Sequence, residues 1–178
     1  MIFFDPMYLL FALPGLILAG FASFYTKSTF KKYSKIASSK GITGAEAAKR
    51  LLLNSGITDV SVEQVGGFLS DHYDPSAKTL RLSPDVYSSN SLSAIGVACH
   101  EAGHALQHAN GYVWLNARSL LVPAVNVSSN FSYIVIMAGM FMHSQSLVLL
   151  GAILFSGAVV FSVVTLPVEW DASARAKQ

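Results

Sequence analysis

The sequence predicts a mainly α, membrane-integral protein with a small α+β polar domain. A motif-bearing helix and a Glu-bearing helix are expected on either side of a transmembrane hairpin. Three observations carry this prediction. The 178 residues are 52% hydrophobic and 12% charged, where a soluble chain carries roughly 25% charged residues. The apolar residues gather in three runs long enough to cross a bilayer. Only the stretch between the first two runs carries capping, strand and turn signals.

The length suits one modest domain rather than two. A net charge of +2 gives nucleic acid no electrostatic footprint. The single cysteine, Cys99, forms no internal disulfide and does not argue for an oxidising compartment. Next to His100 on a helix it points about 100° away, so it is read as a small buried hydrophobe rather than a ligand.

The first run, 7–25, holds no charge. A signal peptide is the competing reading, but the preceding residues are not basic and the following flank is lysine-rich. Residues 1–25 are therefore expected to be an uncleaved transmembrane anchor, with Pro14-Gly15 kinking it. Lys27, Lys31, Lys32, Lys35 and Lys40 follow directly. Lysines clustered beside a span mark its cytoplasmic side. The polar segment 26–118 is thus expected in the cytoplasm.

Within that segment Thr43 and Glu46 read as a capping box opening a helix that Gly56 stops. "VSVEQV" alternates as a short strand would. "GFLSDHY" and "KTLRLS" flank "DPSA", a hairpin with Pro75 at the second turn position. A short turn or helix is expected after Ser83-Pro84, then a longer helix from about 91 to 110 closed by Gly111.

From 119 to 168 there is no Lys, Arg, Asp or Glu. Two runs, about 122–142 and 147–166, flank "HSQS" and predict a transmembrane hairpin with an external turn. Asn126 and Asn130, among Ser128, Ser129 and Ser132, should face protein or a watery cavity rather than lipid. The hairpin returns residues 169–178 to the cytoplasmic side, in keeping with Arg175 and Lys177.

"HEAGH" at 100–104 carries the chemistry. Residues four apart on a helix share a face, so His100 and His104 can chelate one divalent ion, with Glu101 offset toward a water beside it. With five His and four Glu in the chain, chance writes HExxH in about three shuffles per thousand. A polar helix surface is therefore the weaker reading. HExxH chemistry uses the metal as a Lewis acid and the glutamate as general base for attack on a peptide carbonyl.

A third protein ligand is expected. HExxHxxGxxH is excluded, because Gln107 and Asn110 occupy its last two marked positions. His108 lies about 12 Å along the axis from His100, too far to share an ion. Asp59, Glu63, Asp71, Asp74 and Asp85 lie in the strand and turn region. Glu169 and Asp171 follow the hairpin. If a helix starts there, only one of these two can face the metal. Glu169 is preferred, and Asp171 is left to orient a ligand histidine.

"HEAGHALQHA", "DHYDPSAKTLRLSPDVY" and "LPVEWDASARA" together resemble the YugP-like neutral zinc metallopeptidases of bacterial membranes, over the whole chain and in the expected order. HtpX-type heat-shock membrane proteases and CAAX prenyl-protein endopeptidases are broader relatives. The resemblance implies a zincin-like metallopeptidase domain interrupted by membrane helices, with its active site facing the cytoplasm. It implies one Zn2+ per chain, with Glu169 as third ligand beside His100 and His104. Those relatives carry a glutamate, then Ala-Asp three and four residues on, then another alanine. Glu169, Ala172 and Ala176 fit, whereas Ser173 stands where the Asp is expected, leaving Asp171 to replace it.

The resemblance also implies that residues 67–83 include an edge strand along which an extended substrate pairs. His72, Tyr73 and Arg175 are candidate transition-state stabilisers, with a merely structural role as the alternative for each. Family members are expected to continue past the glutamate helix into another membrane segment, so a chain ending at Gln178 reads as truncated or naturally short.

The expected activity is that of a multi-pass cell-membrane zinc metalloendopeptidase acting on membrane-associated or misfolded proteins and peptides. The alternatives are an intramembrane protease, against which only "AIGVAC" precedes the motif, and a non-catalytic zinc-binding membrane scaffold or chaperone.

Overall fold

Thr43 and Glu46 close the capping box their spacing predicts. The Glu46 amide donates to Thr43 Oγ1 at 3.2 Å, and the Thr43 amide donates to Glu46 Oε2 at 3.1 Å. In this computed structural model, which describes residues 6–67 and 70–177, that box opens the second of six helices. In chain order they are α1 (Pro6–Tyr33), α2 (Gly44–Asn54), α3 (Pro84–Tyr87), α4 (Leu92–Ala109), α5 (Val113–Phe141) and α6 (Gln145–Arg175). Strands β1 (Ser61–Gln64), β2 (His72–Asp74) and β3 (Thr79–Leu82) lie between α2 and α3. The protein is thus mostly helical, with one small sheet.

The sheet order is β1-β3-β2. β1 runs parallel to β3, with Val62 opposite Leu80, and β2 runs antiparallel, with Tyr73 also opposite Leu80. The expected turn joins β2 to β3: Asp74 Oδ1 accepts from the amides of Ser76 and Ala77 at 3.0 and 3.1 Å. The β2 strand is shorter than "GFLSDHY", and Phe68 and Leu69 of that expectation lie outside the described residues, as do residues 1–5 of the first span and Gln178. Thr79 is buried with Leu80 and Leu82, and its hydroxyl meets Ser61 Oγ of β1 at 3.0 Å.

Leu80 and Leu82 anchor the core with Ala45, Ala48 and Leu52 of α2 and Val86 of α3. Burying each leucine contributes about 1.5–3 kcal/mol. The central element is α4, which gives Ala98, Ala102, Ala105 and Leu106 to this core. Its small side chains let α2, the sheet and α6 approach it closely. Gly103 takes this furthest. A Cβ there would lie 2.4 Å from the Ala172 carbonyl oxygen of α6, so the two backbones touch where a side chain would hold them apart.

The long helices exceed their apolar runs. α1 continues through "TKSTFKKY" because no Gly or Pro interrupts it before Tyr33. α5 begins at Val113, well before the run at 122. α6 passes through Pro167 to Arg175, so "VEWDASAR" continues a helix rather than starting one. All three are long and apolar enough to cross a membrane. Their exposed Phe11, Leu16, Phe21, Leu149 and Val163 suit lipid as the surrounding medium.

α5 and α6 pack side by side, joined at 142–144. Ser132 and Gly139 of α5 are buried there, and Gly151 of α6 sits against Ile136. Small residues permit that proximity. Asn126 and Asn130 do not face this seam. Both are exposed within the chain, because the seam runs along the other side of α5 through Ser132 and Gly139.

Gly103→Ala is expected to destabilise the protein by about 1–3 kcal/mol through overpacking against α6. Gly96→Ala, on the same helix with open space around it, should instead stabilise by up to about 1 kcal/mol through helix propensity. Thermal unfolding in detergent should lower Tm for the first and raise it for the second. Equal shifts would contradict the role given to the α4–α6 contact.

Candidate metal centre

His100 and His104 lie one turn apart on α4, with ring centroids 5.0 Å apart and the rings nearly perpendicular. Glu169 reaches them from α6, 69 residues on from His100. Its Oε2 lies 3.1 Å from His100 Nε2 and 3.6 Å from His104 Nε2. Among the described residues these three offer ligand atoms that all lie within 4.8 Å of one another. Zinc bonds of roughly 2.0–2.1 Å in a tetrahedron require ligand atoms about 3.3 Å apart. The two measured separations bracket that value. Two imidazole nitrogens and one carboxylate oxygen also suit zinc chemically. The donor set fits the ion.

The imidazoles are held from behind. Gln107 is fully buried, and its amide nitrogen donates to the Val168 carbonyl at 2.7 Å and to Asp171 Oδ2 at 2.9 Å. Its Oε1 is therefore the acceptor facing His104 Nδ1 at 3.0 Å. That contact makes Nδ1 the protonated nitrogen and leaves the Nε2 lone pair pointing at Glu169. His100 Nδ1 meets Ser173 Oγ at 3.1 Å. Such outer partners set ligand orientation and basicity.

A cavity of about 350 Å³ opens in front of the trio. Glu101 lines it, as do Asp71, His72, Tyr73 and Arg118. Burial pushes the Glu101 carboxyl above the ordinary carboxylate range, and the two imidazoles pull it partly back. Burial disfavours the charged imidazole of His104, but the Glu169 carboxylate and the Gln107 oxygen outweigh it and raise its pKa. A cation at the trio relieves both stresses, since it binds neutral imidazole and compensates the acids.

The remaining candidates separate. His72 and Tyr73 border the cavity, but His72 Nδ1 is tied to the Ser70 carbonyl at 2.7 Å and the Tyr73 hydroxyl to His108 Nδ1 at 2.8 Å. Arg175 does not line the cavity; its Nε donates to Asp171 Oδ2 at 2.6 Å and its guanidinium lies over the Tyr112 ring. Asp171 reaches the imidazoles only through Gln107, while Ser173 itself contacts His100. Cys99 is half-buried, with its thiol pKa raised by burial, and is outside the ligand group.

Gln107 and Arg118 were not among the candidates read from the sequence, and Asp71 was named only among the acids of the strand and turn region. Gln107 carried a usable signal, a buried amide one turn after a ligand histidine. Arg118 carried none, since its position depends on α5 starting at Val113. Asp71 accepts from the amide and hydroxyl of Ser83, a contact that fixes the entry to β2.

Comparison with known proteins identifies the family. The family described as "Putative neutral zinc metallopeptidase" matches residues 8–178. A Bacillus subtilis (strain 168) protein described as "Putative membrane protease YugP" is 48% identical over 172 residues, covering 97% of this chain and 76% of that protein. No solved structure matches.

Gln107→Leu should keep the helix but free the His104 ring and strand the amide's partners. Zinc affinity is expected to fall by about 10–100-fold, read by competition with a chromogenic chelator. Unchanged affinity would remove Gln107 from the site.

Proposed function

The chain belongs to the neutral zinc metallopeptidase family, and from that premise we propose that it is a membrane-bound, zinc-dependent endopeptidase with a zincin-like site. The observation that carries this reading is the meeting of His100, His104 and Glu169 in front of a cavity that Glu101 also lines. In this reading His100 Nε2, His104 Nε2 and Glu169 Oε2 hold the metal. Bound zinc supplies Lewis acidity. Glu101 takes the proton of the attacking water and later delivers it to the leaving amine. Gln107 keeps His104 in the ligating tautomer, and Ser173 holds the His100 ring in orientation.

A peptide substrate is supported by β2. It is an edge strand whose His72 and Tyr73 border the cavity, so an extended chain can add to it through backbone pairing. Multi-pass insertion in the cell membrane is supported by the three long apolar helices. The lysine-rich end of α1 favours the cytoplasmic side for residues 26–118 and for the site. The cavity is walled partly by α5, which suits membrane-associated or misfolded protein substrates at the bilayer surface.

Glu101→Gln tests the reading directly. Cleavage of an unfolded, casein-like substrate should fall by about 10²–10⁴-fold, while zinc content of the purified protein stays at one per chain. His104→Ala should lose metal and cleavage together. A Glu101→Gln protein that keeps its cellular function would favour a zinc-binding scaffold or chaperone instead.

A further inference from the structure

Arg118 is the one Lys or Arg lining the cavity among the described residues. It stands on α5 with Leu115, Ser119 and Val122, spaced i, i+3, i+4 and i+7, so the four share one helix face, and all four line the cavity. It is also the last charged residue before the uncharged stretch 119–168. A cation at that point would ordinarily serve as an interfacial anchor reaching toward lipid headgroups. Its position on the cavity-facing stripe speaks against that role.

The contact it makes is incomplete. Arg118 Nη1 lies 3.7 Å from Glu169 Oε1, while the other oxygen of that carboxylate turns to the imidazoles. This is an ion pair by distance but longer than a hydrogen bond. A guanidinium has five N–H donors in a fixed fork, so donors remain to be used. The three side chains expected to stabilise the reaction from the sequence are engaged elsewhere: Tyr73 by His108, His72 Nδ1 by Ser70, and Arg175 by Asp171.

We propose that Arg118 is a catalytic residue of the peptidase reaction, donating to the scissile carbonyl oxygen as negative charge develops on it. The inference rests on the endopeptidase reading above. As the water oxygen bonds to the carbonyl carbon, the C=O π pair moves onto oxygen and the water proton passes to Glu101. Arg118 stays protonated throughout and its N–H groups stabilise that oxyanion. When the pair returns and the C–N bond breaks, Glu101 gives its proton to the amine nitrogen. The products are a free acid and a free amine, and Glu101 is again a carboxylate. Such a donor contributes mainly to the transition state, because the ground-state carbonyl carries little charge.

The test compares the full-length wild type, Arg118→Met, Arg118→Lys and Glu101→Gln in detergent. Arg118→Met should keep one zinc per chain and lower kcat by about 10²–10³-fold with KM nearly unchanged. Its affinity for a phosphinic peptide, whose tetrahedral centre resembles the oxyanion, should fall by a similar factor. If Arg118→Met does not fold, Arg118→Lys carries the test, since it keeps the charge beside Glu169 but not the fork; it should show a smaller kcat loss with zinc held. Wild-type kcat and phosphinic-peptide affinity in either folded variant would overturn the proposal. So would zinc loss in Arg118→Met, which would make Arg118 a positioning residue for Glu169. A wild type that binds zinc yet cleaves no faster than Glu101→Gln would overturn the endopeptidase reading itself, and this inference with it.

Discussion

The site depends on one backbone contact, the approach of α6 to α4 at Gly103. Gly103 lies between His100 and His104, and Ala172 one turn beyond Glu169. Placing a glycine between the two histidines lets the α6 backbone come within side-chain distance of α4. Glu169 is then near enough to share a cation with both imidazoles. A longer side chain at 103 would move the carboxylate outward by a fraction of an ångström or more, a change that metal coordination does not tolerate. Gln107 fastens the same contact, because one buried amide bonds His104 on its own helix and both Val168 and Asp171 on the other.

That arrangement concentrates opposing demands. Glu101, Glu169 and Asp71 border one cavity with three imidazoles and a single arginine. Burial alone makes Glu101 a poor carboxylate and His104 a poor cation; the imidazoles of His100 and His104 restore some charge to Glu101, and Glu169 with Gln107 does so for His104. Such a gathering of partly buried ionisable side chains is costly to fold without compensation. A divalent ion among the proposed ligands provides it, and so couples metal binding to the stability of the α4–α6 junction.

What the sequence made legible was local. The Thr43–Glu46 box, the Asp74 turn and the extent of α4 each depend on residues within a few positions, and the structure has all three. The length of the apolar helices depended on distant causes. α6 continues past Pro167 because its far end packs on α4, burying Val168 and Ala172, which no local pattern encodes. Asn126 and Asn130 were expected to face protein or a watery cavity on chemistry alone, but which side of α5 meets α6 is decided by Ser132 and Gly139. Ser173 illustrates the limit of motif reading. A departure from the relatives' Asp suggested a missing partner, yet a serine hydroxyl at the same position reaches His100 Nδ1.

The cavity also joins two kinds of wall. One is β2, whose unpaired edge offers backbone hydrogen bonds. The other is α5, which contributes Leu115, Arg118 and Val122 where its sequence loses all charge. A folded soluble protein presents few extended segments to such an edge, since its backbone groups are already paired. A chain emerging from lipid or a locally unfolded one presents them readily, and its apolar side chains lose less by resting against α5 than by facing water. In the proposed reading, selection would act on the exposure of extended backbone beside an apolar surface, with little need for a side-chain specificity pocket. The charge of Arg118 is then better spent on the reacting carbonyl, a group every peptide shares, than on recognising any one residue.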